Sequence, residues 1–308
     1  MAQTIEIATW WGRHRLPPER ADLWIIGPLE ILAEHHENFW QIHWRHVDRS
    51  SIGEGKTANS RISGLTPEQV NEFCFGVQPR SAISPYFPAK LQSVTIPVSN
   101  PNEDLIFSPV LPEESLILSI RSAAVLDPSE TLTTGFLIPL VIRVETVSGQ
   151  NSPREASEIP LLPLVRTWGG TKPMDGELAL TPDVPLRVER WADAKPRLDV
   201  AGLAVTVANR GTDSVFVDRL VIPCSRLALF HSPQSGFWCE SLVLHADSDF
   251  SGALLAATTS RELPREAGQT TLVMLARQNP AESAALKGLA NFRSTIGTSV
   301  ENLFKERG

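Results

Sequence analysis

Leu203 to Ile222 constrains the fold more than any other stretch of this chain. Leu203, Val205 and Val207 alternate with Ala204, Thr206 and Ala208; a polar segment from Asn209 to Ser214 follows, then Val215, Val217 and the run Leu220-Val221-Ile222. A period of two puts successive side chains on opposite faces of an extended chain, so each half reads as a strand with one apolar face. The Asn, Gly and Asp of the intervening segment predict a tight antiparallel hairpin. A sheet with an apolar face must bury it against a second layer, which points to an all-β sandwich or barrel.

The rest of the chain repeats the pattern. Trp24 to His35 reads as strand material broken at Gly27-Pro28, with Leu29, Ile31 and Ala33 on one face. His36-Glu37-Asn38 forms a turn, and Phe39 to Val47 follows with Trp40, Ile42 and Trp44 pointing one way and Gln41, His43 and Arg45 the other. This is a hairpin with an aromatic inner face and a polar outer one. Further strand segments are Leu91 to Val98, Leu105 to Val110, Ser115 to Arg121, Gly135 to Glu145, Leu161 to Val165, Leu178 to Leu180, Leu186 to Val188, Leu227 to His231, Phe237 to Leu244 and Leu272 to Ala276. Arg49 to Ser63 and Ser148 to Ser157 read as polar loops. No period of about 20 to 50 residues recurs, which argues against a propeller or solenoid.

Two segments are helical in pattern. Thr66-Pro67-Glu68-Gln69 is a helix start, Thr66 as N-cap and Pro67 at the first helical position, and this helix ends near Phe73-Cys74-Phe75-Gly76. From Pro280 to Phe304, the apolar residues Leu286, Leu289, Phe292, Ile296, Val300 and Leu303 are spaced by three or four and make one stripe of an amphipathic helix. That stripe needs a cover: the chain's own sandwich, or a partner taken up in helix-in-groove fashion.

Composition narrows the function classes. With 42% hydrophobic and 20% charged residues over 308 positions, the chain has the make-up of a globular domain with a real core. A net charge of −7 and a pI near 5.6 weigh against nucleic-acid binding, which needs a basic surface. The N-terminus lacks the basic start and apolar run of a secretory signal. Phe136 to Ile142, the most apolar stretch, is too short to span a bilayer. The expected location is the cytoplasm, with no direct membrane insertion. Cys74, Cys224 and Cys239 are an odd number at no metal-ligand spacing. They read as buried apolar thiols, with a Cys224–Cys239 bridge as the alternative.

No catalytic motif emerges. There is no Gly-x-Ser-x-Gly elbow, no phosphate-binding glycine loop and no His-Glu-x-x-His. His35, His36, His43 and His46 cluster in sequence, but alternation splits them between two faces and no further ligand follows at metal spacing, so they read as edge-of-core residues. Glu30, Glu34, Glu37, Asp247 and Asp249 are scattered and select no glycosidase pair. The expectation is no catalytic, cofactor-binding or metal site and no cofactor. Thr167-Trp168-Gly169-Gly170, followed by Gly176-Glu177-Leu178, reads as a glycine-bearing loop opened by an aromatic anchor. Thr167, Trp168, Gly169 and Glu177 are its candidate site residues.

Trp10-Trp11-Gly12, Ile26-Gly27-Pro28-Leu29, Trp40 with Trp44, Arg166-Thr167-Trp168-Gly169 with Gly176-Glu177-Leu178, and Leu220 to Pro223 leading to Leu227-Ala228-Leu229-Phe230 resemble an uncharacterised bacterial and archaeal family, domain of unknown function 432. The similarity runs from about Trp10 to Leu255 and rests on Trp, Gly and Pro. The family pattern carries an aromatic after Trp168, where this chain has Gly169-Gly170. The resemblance implies no catalytic residues. It does imply an accessory protein of a membrane partner, because the family's genes lie beside those of small-conductance mechanosensitive channels.

The expected architecture is therefore mainly β: a Trp-rich N-terminal β region over residues 1–88, an antiparallel β-sandwich over 89–276, and a helical tail over 277–308. A division into two sandwiches near Ser148 to Glu158 is the alternative. The expected function is a non-enzymatic interaction or accessory protein with a protein partner, and the oligomeric state is left open. The alternative is a carbohydrate-binding or carbohydrate-active sandwich, suggested by the tryptophans.

Overall fold

The computed structural model describes residues 5–6, 9–47, 60–76, 91–148, 154–169, 177–182, 187–188, 197–246, 256–259 and 262–277. The amphipathic segment at 280–304 lies outside them. Among the described residues the chain is mainly β, in four sheets.

The first sheet grows from the Trp-rich hairpins. Strands β3 (Arg20–Ile26), β4 (Leu29–His35) and β5 (Phe39–His46) pair antiparallel in sequence order. Gly27 turns the chain between the first two with φ +55°, and an added Cβ would stand 3.1 Å from Asp199 Oδ2, so the position calls for glycine on both counts. Alternation holds as expected: Trp40, Ile42 and Trp44 are buried, while Gln41, His43 and Arg45 lie on the other face. Strands β1 (Ile5–Glu6), β6 (Ser60–Ser63) and β7 (Gln92–Pro97) complete the order β1-β6-β3-β4-β5-β7.

The second sheet, β12-β11-β8-β2, is formed by Arg154–Pro160, Val141–Val147, Asp104–Val110 and Gly12–His14. Sheet membership thus crosses residue 88 in both directions: β7 joins the first sheet and β2 joins the second. His14 on β2 sits between Trp24 on β3 and Phe107 on β8, with ring centroids 5.0 and 5.1 Å away, and Trp24 and Phe107 meet edge-on at 5.2 Å. This trio is where the two sheets join.

The third sheet is β13-β14-β9-β17, from Leu164–Gly169, Glu177–Pro182, Ser115–Leu126 and Val215–Ile222. The fourth is β15 (Arg187–Val188), β10 (Thr131–Pro139), β16 (Val200–Asn209), β19 (Gly236–Cys239), β18 (Leu229–Ser232) and β22 (Thr271–Met274). In addition, β20 (Leu242–Ala246) pairs with β16 and carries β21 (Ala256–Thr259). Pairing is antiparallel except for β14 with β9 and β16 with β19 and β20. Trp40, Leu105, Leu220 and Leu203, one from each sheet, belong to a single apolar cluster.

Leu203 to Ile222 does form two strands, but not the expected hairpin. β16 pairs with β10, and β17 pairs with β9 in a different sheet. The reason lies at Asn209, which is buried. Its Nδ2 donates to the carbonyls of Leu126 (2.9 Å) and Asp213 (2.8 Å), and its Oδ1 accepts from Gly211 N–H (2.9 Å). These bonds shape Arg210 to Ser214 into an arch between layers. The β9-to-β10 connection arches beside it: Ser129 N–H donates to the Asn209 carbonyl and Asn209 N–H to the Glu130 carbonyl, each at 3.0 Å.

Gly135 to Glu145, expected as one strand, is two strands in different sheets. Leu140 breaks it, its N–H turned to the Asp199 carbonyl (3.0 Å) after Pro139, which has no N–H to give a ladder. Phe237 to Leu244 likewise splits into β19 and β20. The polar Ser148 to Ser157 contributes its last residues to β12, which pairs back on β11.

Two consequences can be measured. Asn209→Ala strands the buried Leu126 carbonyl and the partly buried Asp213 carbonyl and is expected to lower unfolding stability in urea by about 2 kcal/mol. Asn209→Asp, which has no donor for those carbonyls, is expected not to restore it.

Burial lowers His14 from 6.5 to about 4, against the pull of its hydrogen bond to the Trp10 carbonyl. As pH falls from 6.5 to about 4 the unfolded chain therefore takes up a proton that the folded chain refuses. Stability present above 6.5 is lost through that window, by about 3 kcal/mol in all. In His14→Gln, the slope of stability against pH in that window is expected to fall by about one proton.

Candidate functional site

The candidate partner-binding residues Leu286, Leu289, Phe292, Ile296, Val300 and Leu303 lie outside the described residues. Of the candidate loop, Thr167, Trp168 and Gly169 are strand residues of β13 rather than the opening of a loop, because the β13–β14 ladder continues to its end: Thr167 faces Ala179, Trp168 faces Leu178 and Gly169 faces Glu177. Residues 170–176 between the strands are outside the description.

The tryptophans are mostly core. Trp10, Trp24, Trp40, Trp44 and Trp238 are buried. Trp11 is half-buried and meets His231 and Phe237 edge-on, with centroids 5.0 Å away in each case. That is a packed ring cluster, not an open stacking face. No disulfide joins Cys224 to Cys239; both are buried, and Cys74 is half-buried.

The four histidines of the first hairpins separate. His35 is buried, stacked on Trp40 at 4.1 Å with Nδ1 2.6 Å from the Leu16 carbonyl oxygen. His46 Nε2 donates to the Pro160 carbonyl at 2.9 Å. His36 stacks on Phe39 at 4.4 Å. His43 lies on the outer face of the sheet, beside Cys74 of helix α1 (Pro67–Phe75).

That helix exists for local reasons. Thr66 and Gln69 form a capping box: Gln69 N–H reaches Thr66 Oγ1 (3.4 Å) and Thr66 N–H reaches Gln69 Oε1 (3.0 Å), with Pro67 at the first position. Val70, Phe73 and Cys74, three and four apart, share its inner face. Phe73 is buried with Ala21 and Leu32 of the sheet, and Leu23, Leu65, Val70, Cys74 and Leu91 surround them. Arg45 holds the C-terminal end. Its guanidinium lies 4.4 Å over the Phe73 ring, donates to the Phe73 carbonyl (3.2 Å) and pairs with Glu30 at 2.9 Å.

Beside this small core, ligand-type atoms of Glu34, His43 and Cys74 lie within 4.8 Å of one another. Glu34 is the hub: Oε1 is 3.2 Å from His43 Nε2, and Oε2 is 3.8 Å from His36 Nε2. His43 Nδ1 is buried with no hydrogen-bond partner. Burial and then the Glu34 carboxylate push the Cys74 thiol from 9.0 up to about 11, against the pull of Arg45. Alternation places His43 on the outer face as expected, whereas the sequence pattern left Glu34 among scattered carboxylates and gave no link to Cys74, which arrives on another element. The signal was available in the helix register, which puts Cys74 on the same face as Val70 and Phe73.

Two buried carboxylates, Asp104 and Asp22, are paired with arginines. Asp104 takes Arg15 in a two-pronged pair at 2.8 and 2.9 Å and also binds Arg13. The hydrogen bond from Arg15 leads in holding Asp104 below the ordinary carboxylate range. Asp22 accepts from Arg61, Ser63 Oγ (3.1 Å) and Gly64 N–H (3.0 Å). Asp247 and Asp249 lie outside the described residues. Among the described residues, no helix is long and apolar enough to cross a membrane.

A thiol pushed to about 11 is a poor nucleophile at neutral pH, because the thiolate is the reacting form. Cys74 is expected to alkylate slowly with iodoacetamide in the native chain. Glu34→Gln, which removes the negative neighbour, should speed the reaction, as followed by intact-mass spectrometry.

No curated protein and no solved structure matches the chain. A family model described as protein of unknown function (DUF432) matches residues 10–288. That span takes in every described strand after β1, the covered hairpins and the Glu34–His43–Cys74 cluster, and on it the chain belongs to the DUF432 family.

Proposed function

We propose that this chain is a non-catalytic interaction protein, a stiff β frame that offers an apolar strip to a protein partner. The observation that carries the reading is on the third sheet. Val125 on β9 and Phe216 on β17 are register partners, and both stand outward, 61% and 63% exposed. Their neighbours Val215, Val217 and Leu126 point into the core, so the outward pair is not needed for folding. Leu178 on β14 is a further exposed apolar side chain of the same sheet, at the Ser115 end of β9 and apart from this pair. The burial of five tryptophans supports this reading over carbohydrate binding, which needs an open aromatic face.

The partner implied by the family resemblance is a membrane channel of the small-conductance mechanosensitive type, met by this protein from the cytoplasmic side. The test is co-expression of the full chain with the host's channel and purification through the channel in detergent. The chain is expected to co-purify, and Val125→Lys/Phe216→Lys is expected to abolish this with an unchanged melting temperature. Retention that ignores the double substitution, or no retention at all, overturns the proposal. Saturable binding to a glycan panel, lost in Trp11→Ala, supports the carbohydrate alternative instead.

A further inference from the structure

We propose that Glu34, His43 and Cys74 bind one divalent transition-metal ion of borderline softness, zinc foremost, and that this ion clamps helix α1 onto the first sheet. The proposal is independent of the interaction reading above. A carboxylate oxygen, an imidazole nitrogen and a thiolate sulfur from a β-strand, its neighbour and a covering helix are the donor set of a three-ligand zinc site with a fourth position left to water.

The spacing fits. Tetrahedral bonds of about 2.0–2.3 Å place neighbouring ligand atoms about 3.3–3.8 Å apart. His43 Nε2 and Glu34 Oε1 already stand 3.2 Å apart, and the whole set lies within 4.8 Å. Closing the remaining gap takes a shift of about 1 Å in side chains that have rotatable bonds.

Charge and environment fit as well. Thiolate and carboxylate neutralise a doubly charged ion, and the nearby Arg45 is already balanced by Glu30. A cluster without net charge suits a half-buried place between a helix and a sheet. Phe73, Leu32 and Ala21 supply an apolar wall on one side of the cluster. Cys74 binds as thiolate, and its proton passes to solvent.

The clamp has a clear mechanical meaning. Among the described residues, and apart from the Arg45 contacts, α1 is held by a small apolar cluster with three buried members, Ala21, Leu32 and Phe73. An ion tying Cys74 to β4 and β5 adds a link that does not depend on buried area.

The test uses the untagged full chain, stripped by chelator and dialysed. Zinc is expected to bind at one ion per chain, to raise the melting temperature, and to slow hydrogen exchange over Pro67–Phe75. Cobalt in its place is expected to give the intense visible bands of a tetrahedral site and a thiolate charge-transfer band in the near ultraviolet. That band should vanish in Cys74→Ser and persist in His46→Gln, while His43→Ala and Glu34→Gln weaken zinc by about tenfold or more. Protection of Cys74 from alkylation by zinc in the wild-type chain gives the same answer if a variant fails to fold. Failure to bind one zinc per chain, a cobalt charge-transfer band that survives Cys74→Ser, or alkylation of Cys74 unaffected by zinc overturns the proposal.

Discussion

The side chain of Asn209 organises the larger half of this protein. Every polar group of the residue is used. Its amide nitrogen ties the end of β9 to the far side of its own arch, its amide oxygen folds that arch, and its backbone joins the neighbouring crossing from β9 to β10. Two chain crossings are stacked at one end as a result. The third sheet inherits β9 beside β17 and the fourth inherits β10 beside β16. Because both crossings change layer, the two sheets face each other through the same apolar cluster, and Leu203, Val205, Val215 and Val217 meet inside it. A buried amide with its donors and acceptor all paired specifies one arrangement, since any other leaves polar groups stranded away from water.

The first two sheets are joined differently, by strand exchange and aromatic packing. β2 leaves the N-terminal segment to pair with β8, and β7 returns from beyond it to pair with β5. His14, Trp24 and Phe107 fill the junction. Asp104, at the head of β8, gathers Arg13 and Arg15 from β2 and the residue after it, so the short strand β2 is held by charge-assisted bonds as well as its ladder. The N-terminal β region is thereby built into the same core as the rest.

Helix α1 gives the outer face of the first sheet its character. Without it, Glu34, His43 and Arg45 would be an ordinary solvated strand face. With it, Arg45 becomes a bracket for the helix end, and Glu34 and His43 become the floor of a half-enclosed cluster roofed by Cys74. Local rules for this helix were readable in advance: the Thr66 cap, Pro67 and the stop at Gly76 all lie where the sequence predicts them. Where the helix would land was not readable, because its inner face, Val70-Phe73-Cys74, is short and matches any apolar surface of the right width.

The sequence by itself determined most of the strands, their inward faces and the first helix. These depend on periods of two and three to four residues and on cap and turn chemistry, all of which act between near neighbours. Trp40, Ile42 and Trp44 point inward because alternation leaves them no other face to share. Only the tertiary structure decided which strand pairs with which. β16 and β17 carry the pattern of a hairpin, yet a sandwich admits either a hairpin or an arch with the same alternation. Long-range bonds from Asn209 to the Leu126 and Glu130 region settle the choice. The Glu34–His43–Cys74 cluster is tertiary for the same reason: its members come from a strand, the next strand and a helix beyond a long connection, and no local period links them.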